Sequence, residues 1–221
     1  MLSHDFFNRS APVVAKELIG KVIRRRYGDL WLAAAIVETE AYGNDPGNHA
    51  WLGRIAERAS MWATPGTIYM YISQGGDSLN ISVAGAGHVV LIKGGRPWLD
   101  KISGIESLDA MHQLNPGSKG KRPPHKLLAG QALFARALGL KVSDWDGKQF
   151  DPEHLLIEEV DYRPKSIVRC RRLGLPKHRA PDLMLRYVDA AHVRSATQNP
   201  LGKKSWIDGK DYQRLLWEDL P

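Results

Sequence analysis

Cysteine is almost absent from this sequence: Cys170 is the single one among 221 residues. No disulfide can close within the chain, so a reducing compartment is the simpler assumption. Cysteines and histidines at the spacing of zinc ligands are also missing, which argues against a structural or catalytic metal. We therefore expect a protein that uses no metal and no other cofactor.

Long apolar runs are also missing. None approaches the ~20 residues that a membrane helix needs, and the first residues lack the cationic start and apolar core of a signal peptide. Hydrophobic residues make up 43% of the chain and charged residues 25%, which is ordinary for a soluble globular protein. We expect a cytoplasmic protein without a membrane partner, associated with the nucleoid if it is bacterial.

Positive charge is in excess, with a formal net charge of +7. Such an excess fits a polyanionic partner, most often nucleic acid, although solubility alone could explain it. The basic residues also cluster, which favours a surface that faces phosphates. The clusters lie at 24–26, 117–126, 169–172 and 177–179.

Apolar periodicity and turn residues predict one α+β domain over residues 1–221. The predicted strands cover 21–27, 30–42, 67–73, 78–83, 88–95, 155–160, 166–175 and 183–189, and the predicted helices cover 10–20, 54–62, 105–114, 127–140 and 208–220. No helical crossover separates the early strands, so we expect mostly antiparallel pairing. Residues 118–126 should form an exposed basic loop, and residues 198–221 a C-terminal extension.

The segment IVETEAY carries two glutamates, Glu38 and Glu40, near the end of the second predicted strand. Strand alternation places both on the face of Tyr42 and Ile36, opposite Val37. Two carboxylates on one face repel, and burial would raise the pKa of one, which could then serve as a general base for water. An ion pair between one glutamate and an arginine of the preceding strand explains the same pattern.

Three aromatic side chains could hold a flat ring if they meet in one cleft: Tyr42, His49 and Tyr71. Core packing is the default interpretation of the tyrosines, and a histidine after a turn is more often a surface residue. A cluster of such rings, however, suits a cationic aromatic ligand in particular. The motifs of phosphate-binding loops and of the nucleophile elbow are absent, which leaves those two chemistries unsupported.

The fragments ELIGKVI, IVETEAY, PGTIYMYIS, LNIS, VVLIKGG and ARALGL, in this order and spacing, resemble the alkyladenine (3-methylpurine) DNA glycosylase family. The resemblance extends from about Phe6 to about Tyr187. It implies an α+β domain with a curved, mainly antiparallel sheet surrounded by helices. It also implies a monofunctional enzyme of base excision repair. Such an enzyme flips alkylated or deaminated purines out of double-stranded DNA and hydrolyses the N-glycosidic bond without a metal or a lysine Schiff base.

The resemblance implies roles for individual residues. Glu40 aligns with the general base that activates the attacking water. Tyr42, His49 and Tyr71 align with the residues that sandwich and contact the flipped base. Asn80 aligns with the pocket asparagine that disfavours the exocyclic amino group of guanine.

Three further positions are expected to contact DNA. Lys93 stands where the family commonly has an arginine near the site and the phosphate, and Arg54 keeps a basic position in the loop after the histidine. Gln74 stands where the family usually has a tyrosine that fills the gap left by the flipped nucleotide. A glutamine could fill this gap and hydrogen-bond the orphaned base, although it stacks less well than an aromatic ring.

Two alternatives stay open from the sequence. A non-catalytic protein that senses damaged or distorted nucleic acid could use the same scaffold. A hydrolase of a small purine nucleoside could use the same pocket, although the positive charge argues against it. A monomer is the expected form for a protein that presents one face to a duplex.

Overall fold

One β-sheet organises the chain in a computed structural model, which describes residues 1–73, 75–118, 120–179 and 182–219. The strands are β1 (Val22–Tyr27), β2 (Leu30–Tyr42), β3 (Ile68–Ser73), β4 (Gly76–Ser82), β5 (Val89–Pro97), β6 (Leu155–Glu158), β7 (Ser166–Cys170), β8 (Arg186–Asp189) and β9 (Tyr212–Leu216). They follow the order β3-β4-β5-β2-β8-β7-β9, with β1 between β2 and β6. All pairs of these strands are antiparallel, which confirms the expected α+β class.

Short helices cover the sheet. The α-helices are α1 (His4–Phe7), α2 (Ala11–Glu17), α3 (Ile105–Leu114), α4 (Pro124–Leu127), α5 (Gln131–Ala137) and α6 (Val142–Trp145). Segments of 3-10 helix lie at His49–Leu52, Ala56–Trp62, Lys177–Arg179, Ala190–Ser195 and Trp217–Asp219. The main hydrophobic core lies where α2, α3 and α5 pack against β2, β4 and β5, so these helices fix the centre of the sheet.

β2 is the central strand and has three partners. β5 pairs with it on one side, and on the other side β1 pairs with residues 30–35 while β8 pairs with residues 38–40. Its apolar run from Leu32 to Val37 is fully buried, as expected for a strand covered on both faces. The end of β2 that carries Glu40 therefore lies in the middle of the sheet.

Side chains along β2 alternate between the two faces of the sheet, and this alternation is interrupted once. Ala34 and Ile36 face the main core, but beyond them it is the odd-numbered Ala41 that belongs to this core. The β2–β5 register is irregular on both sides of Glu38, with no partner for Val37 on β2 or for Lys93 on β5. Such a β-bulge adds a residue and re-aims the side chains that follow.

The prediction that Glu38, Glu40 and Tyr42 share a face with Ile36 is therefore wrong. Thr39 donates its hydroxyl hydrogen to the Ala15 carbonyl at 2.7 Å, on the side of the main core. The two glutamates and Tyr42 lie on the opposite face. Simple alternation fails here because the bulge adds one unpaired residue, Val37, so even-numbered residues before and after it lie on opposite faces.

Two other sequence-based expectations are wrong. The C-terminal segment after Asp208 forms β9, which pairs with β7, instead of a helix, because its side chains complete the sheet edge. The first basic cluster does not consist of free surface charges alone. Arg24 is buried and pairs with Asp100 and Glu158, which removes it from any phosphate-facing surface.

None of the helices in the described ranges combines the length and the apolar character that a bilayer crossing requires. Within that same part of the chain, no group of three or more His, Cys, Asp and Glu side chains could hold a metal ion.

Candidate active site

A cavity of about 390 Å³ lies over strands β2, β3, β4 and β5 of the sheet. This volume falls in the range of roughly 300–1,000 Å³ that is usual for small-molecule sites. Four neighbouring strands and several connecting segments line it: Tyr42, Tyr69, Tyr71, Ser73, Asn80, Val89, Leu91 and Lys93 from the strands, with Met61, Thr197 and residues 47–49, 130–133 and 173–175. The cavity is therefore built on four consecutive strands of the sheet, from β3 to β2.

Glu40 lies directly beneath this cavity and has no exposed surface. The Tyr42 hydroxyl donates to its Oε2 at 2.7 Å, and the Leu173 backbone N–H donates to its Oε1 at 2.9 Å. The Lys93 Nζ lies 3.0 Å from the same Oε1. All three partners line the cavity, so the carboxylate is one contact away from it and is neutralised by a buried ammonium group.

Aromatic rings form one wall of the cavity. The His49 and Tyr71 rings meet edge to face with centroids 4.8 Å apart, and the Tyr69 and Tyr71 rings stack with centroids 5.5 Å apart. The His49 Nδ1 lies 3.4 Å from the Tyr69 hydroxyl. The structure thus brings Tyr42, His49 and Tyr71 to one cavity, as expected, and adds the buried Tyr69.

Burial keeps these rings in their neutral forms near pH 7. It raises the pKa of Tyr42 well above its usual range, and the Glu40 carboxylate raises it further. Burial followed by Glu40 raises the pKa of Tyr71 to about 12. Burial lowers the pKa of His49, and the positive charges of Arg58 and Arg179 lower it further. The wall is therefore an uncharged aromatic surface.

A buried ion pair fixes the loop that leads from β2 to His49. Arg172 pairs with Asp45, with side chains that are 1% and 7% exposed. Its guanidinium also donates to the Ala41 carbonyl at 2.9 Å and lies 4.5 Å from the centroid of the Tyr42 ring. The sequence pattern suggested that this arginine faces phosphate. That prediction is wrong, because Arg172 holds the cavity wall together.

The same loop is held at its other end. Arg179 donates to the Pro46 and Asn48 carbonyls at 2.7 and 3.0 Å. A side chain at Gly47 would approach the Arg172 Nη2 to 2.6 Å, so only glycine lets the loop pack this closely on the segment 172–175. These contacts aim His49 at Tyr71.

Glu38 occupies a separate polar cluster below the cavity. Arg186 donates from Nε to its Oε1 at 2.6 Å, and both side chains are fully buried. Thr197 donates its backbone N–H and its hydroxyl to the Oε2 of Glu38 at 2.6 and 2.8 Å. Glu38 therefore positions Thr197, which lines the cavity.

The remaining predicted site residues lie in different surroundings. Asn80 lines the cavity and donates its amide to the Tyr69 carbonyl at 3.2 Å. Lys93 is inside the cavity beside Glu40, with its side chain 8% exposed. Arg54 is exposed, and its guanidinium lies 5.8 Å from the centroid of the Trp62 ring. Gln74 lies outside the described residues.

Sequence reasoning missed the segment that follows β7. Leu173 binds Glu40, while Arg172 and Arg179 hold the His49 loop. Arg58 was also missed, although its charge acts on His49 and Tyr71. For Arg172 and Arg179 the sequence signal was a basic cluster, which does not distinguish buried arginines from exposed ones, and Leu173 and Arg58 carried no signal.

The chain is similar to proteins whose names describe DNA glycosylases. A sequence model of the family described as Methylpurine-DNA glycosylase (MPG) matches residues 5–193. A Pseudomonas aeruginosa (strain UCBPP-PA14) protein named "Putative 3-methyladenine DNA glycosylase" is 48% identical over 220 residues, 99% of this chain and 92% of its own length. Proteins of the same name from Pseudomonas fluorescens (strain Pf0-1) and Koribacter versatilis (strain Ellin345) are 49% and 32% identical. They cover 96% and 86% of this chain, and 92% and 89% of their own lengths.

Proposed function

The chain belongs to the methylpurine-DNA glycosylase family and is a DNA N-glycosylase, and we propose that it flips alkylated or deaminated purines out of duplex DNA into the cavity above Glu40. The observation that carries this proposal is the enclosed Glu40 carboxylate beneath an aromatic wall. Glu40 would activate the water that displaces the base from C1′ of the deoxyribose.

The hydrogen bonds of Glu40 leave a place for this water. A carboxylate offers about four lone-pair positions. Among the described residues, the Leu173 N–H donates to Oε1 and the Tyr42 hydroxyl donates to Oε2, while the Lys93 Nζ lies beside Oε1 as an ion-pair partner. We place the water at the remaining position on Oε2. Tyr42 then fixes the orientation of the carboxylate toward the reacting carbon.

The aromatic wall supports recognition of a cationic purine. An N3- or N7-alkylated purine carries positive charge, and a cation over a tyrosine ring gains roughly 0.5–2 kcal/mol over a neutral ring in the same place. The neutral His49 adds no repulsion, since its pKa is lowered by burial and by neighbouring arginines. Asn80 would restrict the exocyclic groups that the pocket accepts.

The charge on the base also explains why one carboxylate suffices. A cationic base leaves without prior protonation, so the enzyme needs a positioned water and a negative charge near the sugar. The oxocarbenium-like sugar that forms as the base departs is stabilised by the Glu40 carboxylate. Deaminated purines are neutral and would react more slowly in the same pocket.

We expect one contact with the DNA backbone from an exposed residue and one from an enclosed residue. Arg54 is exposed and could neutralise a phosphate of the duplex. Lys93 is enclosed, so its contact would be restricted to the sugar or phosphate of the flipped nucleotide itself. We propose a monomer that binds double-stranded DNA with one face.

Release of free base from a lesion panel tests the proposal. Duplexes with 3-methyladenine, 7-methylguanine, hypoxanthine or ethenoadenine are incubated with wild type and with Glu40→Gln, and the free purines are quantified. Glu40→Gln should lower the release rate by about 10²- to 10⁴-fold while duplex affinity is retained. Glu153→Gln, at an exposed position, serves as the matched control and should keep the wild-type rate. Unchanged release by Glu40→Gln would overturn the proposed role of Glu40. Duplex binding by wild type without release of any purine would favour the non-catalytic alternative.

A further inference from the structure

We propose that the enzyme also cleaves the DNA strand at the abasic site it creates, through a Schiff base between Lys93 and C1′ of the deoxyribose. The inference rests on the proposed function, because it takes the reacting sugar to lie at Glu40. It departs from the monofunctional mechanism without a lysine Schiff base that the sequence resemblance implies, because base release itself requires no covalent bond between protein and DNA.

The position of the amine carries the inference. The Lys93 Nζ lies 3.0 Å from the Glu40 Oε1, and the side chain lines the cavity. The attacking water must lie within about 2.6–3.2 Å of the same carboxylate. Nζ is therefore as close to Glu40 as that water is. The water is placed on Oε2 and the amine lies at Oε1, so a sugar whose C1′ reaches the water lies against the same carboxylate as the amine.

The amine is also held in place. Lys93 donates to the Leu173 carbonyl at 3.3 Å in addition to its contact with Glu40, and its side chain is only 8% exposed. Lys93 falls at the register irregularity between β5 and β2, where it has no partner residue on β2. Among the described residues that line the cavity, Lys93 is the only lysine.

The residue type decides which chemistry is accessible. A lysine amine attacks carbonyl carbons and forms Schiff bases when it is neutral, whereas an arginine guanidinium stays protonated in proteins. The sequence resemblance places an arginine at this position in much of the family, in keeping with base release alone. A lysine at the same place can act as a nucleophile, whereas an arginine cannot.

The steps balance without an added oxidant or reductant. After the purine has left, the abasic sugar opens to an aldehyde at C1′. The Lys93 ammonium group first gives one proton to the Glu40 carboxylate, and the neutral amine then attacks this carbon. One proton of the amine moves to the former carbonyl oxygen, Glu40 supplies the second, the oxygen leaves as water, and a protonated C1′=N bond forms. Glu40 then takes a proton from C2′, a C2′=C3′ bond forms, and the C3′–O bond breaks, so the phosphate leaves with the electron pair. Water hydrolyses the C1′=N bond, which frees the amine and leaves an unsaturated aldehyde on the cleaved strand.

Borohydride trapping on a preformed abasic site tests the inference. A duplex with one abasic site and a 5′ label is incubated with the full chain, with and without sodium borohydride. Wild type should give a covalent protein–DNA species with borohydride and a cleaved strand without it. Lys93→Arg should lose both signals. Lys148→Arg, a matched change at an exposed lysine, should keep both.

Mass spectrometry of the trapped species then locates the bond. A reduced sugar adduct on Lys93 supports the inference, and an adduct on another lysine or on the Met1 amine overturns it. Absence of any trapped species with wild type overturns it as well. If Lys93→Arg does not fold, the site mapped in wild type decides alone.

The two proposals can fail separately. Because the abasic site is supplied ready-made, absence of trapping leaves base release by Glu40 untouched. Conversely, an enzyme that forms the Lys93 adduct but frees no damaged purine would contradict the proposed base release and leave the lyase step standing.

Discussion

Glu38 and Glu40 lie two residues apart on β2, yet each carboxylate is neutralised by its own cation. Arg186 binds Glu38, and Lys93 binds Glu40. Carboxylates this close on one strand would otherwise repel each other. The two pairs also serve different purposes. Glu38 ties the strand to the segment at Thr197, whereas Glu40 lies under the cavity with its hydrogen bonds directed to cavity-lining residues.

The aromatic wall should distinguish charged from neutral lesions. We expect Tyr71→Leu to weaken binding of 7-methylguanine relative to hypoxanthine by about 0.5–2 kcal/mol, because the cation–π contribution is lost. Tyr71→Phe keeps the ring and should keep the preference. The measurement is the dissociation constant for both duplexes, taken in the Glu40→Gln background, in which we expect base release to be slow. An equal loss for both lesions would show that the ring contributes packing alone.

Protonation of His49 should couple to stability. Burial, with Arg58 and Arg179, lowers the pKa of His49 in the folded protein, while the unfolded chain keeps a value of about 6.5. As the pH falls below about 6.5, the unfolded state binds more protons at this group, so the free energy of unfolding decreases. We expect a larger decrease between about pH 7.5 and about pH 5 in wild type than in His49→Gln. Urea unfolding of both proteins at each pH measures the difference. Parallel pH profiles would mean that His49 titrates in the folded protein as it does in the unfolded chain.

Arg54 should contribute one phosphate contact. Its side chain is exposed beside Trp62, and each neutralised phosphate contributes about 0.9 to the slope of log affinity against log salt concentration. We therefore expect Arg54→Ala to reduce the slope by about this amount for damaged and undamaged duplexes alike. Arg163→Ala is the matched control, because Arg163 lines a separate cleft with Phe6 and Trp217. A slope that stays at the wild-type value in Arg54→Ala would remove this residue from the interface.

The Asp45–Arg172 pair should be essential for the cavity wall. Removal of one partner of a buried pair leaves a charge without compensation, which costs about 3–5 kcal/mol. We expect Asp45→Asn to lower the free energy of unfolding by roughly this amount, measured by urea titration. Asp109→Asn, which removes an exposed carboxylate bound to Lys121, should leave the unfolding midpoint where it is. A small effect of Asp45→Asn would indicate that the Arg172 contact with the Ala41 carbonyl is sufficient to hold the loop.

The sequence predicted which residues meet at the cavity better than it predicted the strand that carries them. The spacing of two residues in IVETEAY placed Glu40 beside Tyr42. Tyr42 lines the cavity, and Glu40 lies beneath it and accepts a hydrogen bond from the Tyr42 hydroxyl. Alternation along the strand failed at Val37, since a bulge depends on how two strands meet. No pattern within one strand records its partner, so the face assigned to Ile36 was wrong.

Contacts between distant segments explain most of what was missed. Leu173, Arg172 and Arg179 bind residues of the Glu40 region that lie 131 to 133 residues earlier in the chain. Single-sequence patterns describe neighbours along the chain and carry little information about such contacts. The C-terminal strand β9 was missed for a related reason, because its partner β7 lies far away in the sequence.

The bulge in β2 makes the site depend on how the strand pairs as well as on the identity of its residues. β1 pairs with the first half of the strand, and β8 pairs with the second half. If all the residues of β2 were paired without the bulge, one half would slip by one residue, which exchanges the two faces of everything in it. Glu40 would then turn toward the hydrophobic core and Ala41 toward the cavity. A strand with every residue of the site but without the bulge would thus have no carboxylate beneath the cavity.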